Sequence, residues 1–132
     1  MPLVCADIYI PPSTPRESPI RVAVNVPPGI VRKVWVLIPH GHKALAHLVI
    51  RHGETQVIPW SGDIHGDGEE LVFDEVYELK SEDTLILEGW NDDVQYPHRF
   101  IVRLLILPHP YAFPEIALLR AFRYLLEVMG VE

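Results

Sequence analysis

The stretch Ile20-Arg21-Val22-Ala23-Val24-Asn25-Val26-Pro27-Pro28-Gly29-Ile30-Val31-Arg32-Lys33-Val34-Trp35-Val36-Leu37-Ile38 decides the fold class. Ile20, Val22, Val24 and Val26 fall on one face of an extended chain, with Arg21 and Asn25 on the other. That is the period-two pattern of a half-buried strand, not the 3.6-residue period of a helix. Pro27-Pro28-Gly29 interrupts it, and residues 30–38 resume as a β-branched run with Val34, Val36 and Ile38 in register. Pro39-His40-Gly41 breaks the chain again. Further on, Ala46, Leu48 and Ile50 alternate with His47, Val49 and Arg51 up to the turn pair His52-Gly53. Short strands are predicted over 55–58, 71–79, 84–90 and 100–107. In the last, Phe100, Val102, Leu104 and Ile106 oppose Ile101, Arg103, Leu105 and Leu107. Both of its faces are largely apolar, as expected of a central or covered strand.

Seven or eight short strands separated by Pro/Gly turns predict an all-β chain: an antiparallel β-sandwich or jelly roll with one C-terminal α-helix. Residues 1–19 are read as an N-terminal edge strand near 3–10 followed by a Pro-rich arm. Residues 20–107 form the β-sandwich, and 108–132 a linker and apolar helix. The arm, Pro11-Pro12-Ser13-Thr14-Pro15-Arg16-Glu17-Ser18-Pro19, cannot donate ladder hydrogen bonds at its prolines. It either crosses the end of its own sheet or reaches a neighbouring subunit. Pro114 suits the first helical position, Glu115 the positive end of the helix dipole, and Gly130 the stop. Between them only Arg120, Arg123 and Glu127 form a polar stripe, with Tyr124 beside it. The apolar arc is wider than one sheet face covers. At about 1.5 Å per residue the helix is also too short to cross a bilayer. Ile116, Leu118, Leu119, Phe122, Leu125, Leu126 and Met129 are therefore assigned to an oligomer interface.

The 132 residues make about one domain. A 48% apolar and 22% charged composition excludes wholesale disorder. The single cysteine, Cys5, excludes an intrachain disulfide framework and any multi-cysteine zinc site. Eleven Lys+Arg against 18 Asp+Glu give a net charge of −7, which argues against nucleic acid as a partner. Thirteen prolines, two asparagines, two glutamines and an excess of arginine over lysine resemble the composition of a heat-adapted protein. The N-terminus lacks the basic and apolar regions of a signal peptide, and no apolar run approaches a span of about 20 residues. A soluble chain, in a virion or in the cytoplasm, is expected.

Three constellations could carry chemistry. His40-Gly41-His42, followed by His47 and distantly by His98, resembles the metal-binding histidine pair of the cupins, which are small jelly rolls. The cupin pattern expects a glutamate about four residues after the second histidine. Ala46 and His47 stand there instead, and the nearest acid is Glu54. The competing reading is a glycine turn flanked by histidines, with His47 facing solvent. Second, Asp63, Asp67 and Asp74 fall at calcium-loop positions 1, 5 and 12, with Gly68 at the turn. His65 at position 3 is a poor calcium ligand and no helices flank the loop, so a solvated acidic turn competes. His40, His42, His47, Asp63 and Asp67 are the candidate metal ligands. Third, Trp60 and Trp90, with Tyr96, Tyr111 and Asn91-Asp92-Asp93 nearby, could form an aromatic sugar platform or serve as interface anchors. No Gly-x-Ser-x-Gly elbow occurs, Cys5 has no evident histidine partner, and Glu69-Glu70 and Asp92-Asp93 read as solvated turns. No enzymatic activity and no cofactor are expected.

The order of turns carries a resemblance. Pro27-Pro28-Gly29-Ile30, Pro39-His40-Gly41, Gln56-Val57-Ile58-Pro59, Gly66-Asp67-Gly68, Phe73 with Tyr77-Glu78-Leu79, Gly89-Trp90-Asn91-Asp92-Asp93 and Tyr96-Pro97-His98 follow one another. The series resembles small β-sandwich structural proteins of tailed bacteriophages and related archaeal viruses, which decorate heads or build vertices, necks and tails. The likeness covers residues 20–107 and transfers no functional residue. It implies a structural subunit that works by symmetric packing, with copies of itself and other virion proteins as partners.

Overall fold

The computed structural model describes residues 3–108, 122, 123 and 125–130. Eight strands follow in chain order: β1 (Leu3–Ile10), β2 (Ile20–Val26), β3 (Gly29–Ile38), β4 (Ala46–His52), β5 (Thr55–Ile58), β6 (Glu69–Leu79), β7 (Asp83–Asn91) and β8 (His98–Leu107). They form two four-stranded sheets, ordered β1-β8-β3-β6 and β2-β7-β4-β5, and every pair is antiparallel. The first strand pairs with the last, the second with the seventh, the third with the sixth and the fourth with the fifth. A long hairpin rolled up this way is a jelly roll. β8 lies between β1 and β3, as its two apolar faces require.

Period-two alternation delivers one face of each strand to the core. Ile8 and Ile10 from β1 join Phe100, Val102, Leu104 and Ile106 from β8, each at most 1% exposed, against Val26, Leu48, Ile50 and Leu87 of the other sheet. Gly89 on β7 is fixed by this packing: a Cβ there would run into Cδ1 of Ile10 and lie 3.1 Å from the carbonyl oxygen of His47. The register of β3 shifts between Val31 and Lys33 against both its neighbours, a bulge that adds local twist in the middle of the sheet.

The two outer faces differ. On the β2-β7-β4-β5 sheet, Glu88 is buried beneath two arginines, Arg21 at 2.9 Å and Arg51 at 3.1 Å. On the β1-β8-β3-β6 sheet, cross-strand rows read Leu3-Leu105-Lys33 and Cys5-Arg103-Trp35-Val72. Leu3 and Val72 are each about half exposed.

The Pro-rich arm follows its own sandwich. Thr14 is buried and bridges to Asn91, whose N–H donates to the Thr14 carbonyl at 3.0 Å. The Ser13 N–H donates to the Asp93 carbonyl at 2.8 Å. Near the C-terminus, residues 122, 123 and 125–128 are helical, and the helix stops at Gly130, whose φ of +74° favours glycine. Phe122, Leu125, Val128 and Met129 are exposed and Leu126 is half-buried. Ile116, Leu118 and Leu119, also assigned to the interface, lie outside the described residues. Among the described residues no helix is long and apolar enough to cross a membrane.

Candidate functional site

The densest polar constellation lies at one end of the β2-β7-β4-β5 sheet and centres on His47. Leu48 on β4 points into the core, so its neighbour His47 projects from the outer face. Opposite it in register stands Trp90 of β7, and the two rings stack with centroids 5.2 Å apart and planes inclined by 12°. The Arg16 guanidinium of the arm lies 5.1 Å from the Trp90 ring centroid, and Trp90 is only 5% exposed. The loop between β5 and β6 reaches β4 through one bridge: Leu48 N–H donates to the Ile64 carbonyl at 2.9 Å, and Ile64 N–H to the Leu48 carbonyl at 2.8 Å. Ile64 is buried by that bridge, and its neighbours Asp63 and His65 are brought to His47.

Asp63 Oδ1 lies 2.8 Å from His47 Nδ1 and 2.7 Å from His65 Nδ1. On the other side of the ring, His47 Nε2 lies 3.0 Å from Asp92 Oδ2. Burial pushes the Asp63 carboxyl up, but the hydrogen bonds from His47 and His65 outweigh it and hold the group below the usual carboxylate range. One ligand atom from each of His47, Asp63 and His65 lies within 4.8 Å of the other two. Two imidazoles and a carboxylate at such spacing suit a borderline divalent cation.

The other candidate ligands are drawn elsewhere. His42 is buried, with Nε2 2.9 Å from the Arg99 carbonyl, which can only accept; Nε2 therefore carries the proton. Its Nδ1 is buried without a hydrogen-bond partner, and its ring packs on His98 at 4.5 Å and Phe100 at 4.9 Å. Desolvation, reinforced by the neighbouring His98, pulls the His42 pKa down against the raising effects of the Arg99 carbonyl and Asp67. The His98 Nε2–H is directed to Asp93 Oδ2 at 2.8 Å. The hydrogen bond from the Gln95 amide, then that from His98, holds the Asp93 carboxyl below its ordinary value. Asp67 accepts from the Gly41 N–H at 2.8 Å, which lowers its own pKa, and the His40 ring packs against Gly68. Asp74 lies on β6, 3.5 Å from Lys33. Because β6 begins at Glu69, the second half of the calcium-loop pattern is extended strand and cannot curl around an ion.

The two candidate tryptophans, Trp60 and Trp90, part company. Trp90 is packed away, whereas Trp60 is 91% exposed beside the cis Ile58-Pro59 bond. It stands at a groove of about 320 Å³ where the edge strands β5 and β6 meet, lined also by His52, Thr55, Gln56, Glu75 and Tyr77. Tyr77 is held there by a 2.5 Å hydrogen bond between its hydroxyl and His52 Nδ1, while His52 Nε2 meets Asp83 at 2.5 Å. A second cleft, of about 510 Å³, lies between the His40–Leu45 turn and the loop from Asp93 to His98.

His47 and Asp63, which the sequence assigns to different constellations, meet here with His65 and Asp92, which it offers only as a poor calcium ligand and part of a solvated turn. The available signal was the i, i+2 spacing of Asp63 and His65 around an apolar Ile64, which is a one-rung strand.

No protein-family model matches the chain, and no curated protein sequence matches it. Solved structures are similar to it. The CBM36-1 domain of a multidomain xylanase, from the hindgut metagenome of Trinervitermes trinervoides, is similar with a TM-score of 0.53 and 11% identity. That likeness covers 80% of this chain and 97% of the domain. The hydroxypropylphosphonic acid epoxidase of S. wedmorenis matches at a TM-score of 0.41 and 9% identity over 78% of this chain. The chain spans less than half of that enzyme, 43% of its length. A CBM4 structure is similar at a TM-score of 0.41 and 7% identity, covering 76% of this chain and 89% of that one. The strand order, with the likeness to the CBM36-1 domain, defines the class: a β-sandwich of jelly-roll topology.

Proposed function

We propose that the chain is a non-enzymatic structural subunit that assembles with copies of itself, and that the assembly is part of a virion. The observation that carries this reading is the apolar side-chain surface facing solvent: Phe122, Leu125, Val128 and Met129 are 59%, 55%, 65% and 71% exposed. Burial of apolar area at about 25 cal/mol per Å² favours covering such surface with another chain. The outer face of the β1-β8-β3-β6 sheet adds Leu3 and Val72. The turn-pattern resemblance and the amide-poor composition support a virion particle built for heat. Light scattering coupled to size exclusion tests it. A discrete oligomer that Leu125→Glu with Met129→Glu reduces to a folded monomer supports the reading; a monomeric wild type at high concentration overturns it.

A second reading, a carbohydrate-binding module, is favoured by Trp60. An indole this exposed at a groove with Tyr77, Gln56 and Glu75 offers an apolar platform beside polar groups, the combination a sugar ring requires. The shared fold with the CBM36-1 domain is consistent with it. Affinity electrophoresis across soluble polysaccharides, with Trp60→Ala as control, tests this reading. Retardation lost in the variant supports it, and unretarded wild type removes it.

A further inference from the structure

We propose that His47, Asp63 and His65 bind one divalent transition-metal ion of the zinc class. Both nitrogens of the His47 ring face carboxylate oxygens, Asp63 Oδ1 at 2.8 Å and Asp92 Oδ2 at 3.0 Å. Ionised carboxylates only accept, and a neutral imidazole carries one N–H. In the metal-free chain His47 donates Nδ1–H to Asp63; with the ring proton on Nε2 toward Asp92 instead, the Nδ1 lone pair is open to an ion. An ion held between Nδ1 and the Asp63 oxygen takes the place of the proton the two groups share. His65 Nδ1 converges on the same oxygen at 2.7 Å, and one ligand atom from each of the three residues lies within 4.8 Å of the other two, close enough to share one ion.

The surroundings match what a metal centre needs. The Asp92 contact is the carboxylate–histidine support that orients a ligating ring and fixes its tautomer. Stacking on Trp90 holds the His47 ring plane, and the double hydrogen bond between Ile64 and Leu48 holds the loop carrying the other two ligands. The His65 side chain is 52% exposed, which leaves a path for the ion and room for water to complete its coordination. The N₂O donor set favours zinc, cobalt or nickel over calcium and magnesium, which take oxygen ligands.

The test uses untagged full-length chain stripped with a chelator. Titration with Zn²⁺ by calorimetry is expected to show one equivalent bound, micromolar or tighter. Co²⁺ is expected to give visible d–d absorption, and Ni²⁺ to quench the indole fluorescence contributed by Trp90. His65→Ala, at an exposed position that leaves the fold intact, is expected to abolish all three signals. Asp92→Ala is expected to weaken affinity roughly 10–100-fold. His40→Ala is expected to change nothing. A stripped wild type that takes up no Zn²⁺ overturns the proposal, as does undiminished binding by His65→Ala or loss of binding in His40→Ala.

Discussion

The outer faces of the two sheets solve the same problem in opposite ways. The β2-β7-β4-β5 face closes on itself: Glu88 lies under Arg21 and Arg51, and Trp90 is covered with help from His47 and from Arg16 of the arm. The β1-β8-β3-β6 face leaves Leu3 and Val72 half in water and ties its charges in exposed pairs such as Arg103–Glu70, at 3.1 Å. The same alternation produces both, because an outward position constrains only direction. What differs is whether the outward side chains find partners within the chain. The first face therefore contributes stability, and the second offers surface.

The sharpest way to break this contrast is to remove one charge from each face. Glu88→Ala strands two arginines over a buried position and is expected to cost about 2–3 kcal/mol of unfolding free energy. Arg103→Ala, on the open face, is expected to cost less than about 1 kcal/mol. Urea denaturation of both variants checks the ratio; equal losses would erase the distinction.

Gly89→Ala probes the inner side of the closed sheet. Its methyl group must displace Ile10, and a loss of about 1–2 kcal/mol is expected in the same denaturation series.

The seam between the sheets is sensitive to pH through His42. Its folded-state pKa lies below the ordinary 6.5, so the unfolded chain binds the proton first. The stability His42 supports is complete above pH 6.5 and drains away as pH falls through the folded value. Melting temperatures of the wild type are expected to drop over that interval relative to His42→Gln, which keeps a donor for the Arg99 carbonyl and does not titrate. His98 and Asp67, the groups acting on His42 electrostatically, are common to both proteins. Parallel curves for the two would refute the assignment.

The smallest effect belongs to the open face. Val72→Lys is expected to leave unfolding free energy within about 0.5 kcal/mol of wild type. A larger loss would show that this face is packed within the chain after all.

Much of the roll was legible in advance. Residues 20–26 and 55–58 fold as the alternation predicts, and Gly29, Gly53 and Gly68 punctuate the chain with positive φ where turns were read. The central place of β8 followed from its two apolar faces. Strand pairing was not legible, since period two gives a strand its faces without naming its neighbour. The candidate site escaped for a related reason. His47, Asp63, His65 and Asp92 come from three separated segments, and their meeting depends on the two-hydrogen-bond bridge at Ile64. The calcium-loop reading of Asp63, Asp67 and Asp74 relied on linear spacing, which a strand starting at Glu69 stretches apart.

Asn91 is a knot in this wrapping. Its amide reaches the carbonyls of Ile10, Pro11 and Tyr96, its side-chain oxygen accepts from Asp93, and its main chain holds Thr14. One buried side chain thus joins stretches of chain some 80 positions apart. Contacts of that span are slow to close, so Asn91→Ala is expected to speed unfolding more than it slows folding in stopped-flow measurements. The endurance of the folded chain then rests on a latch that opens seldom, more than on rapid refolding.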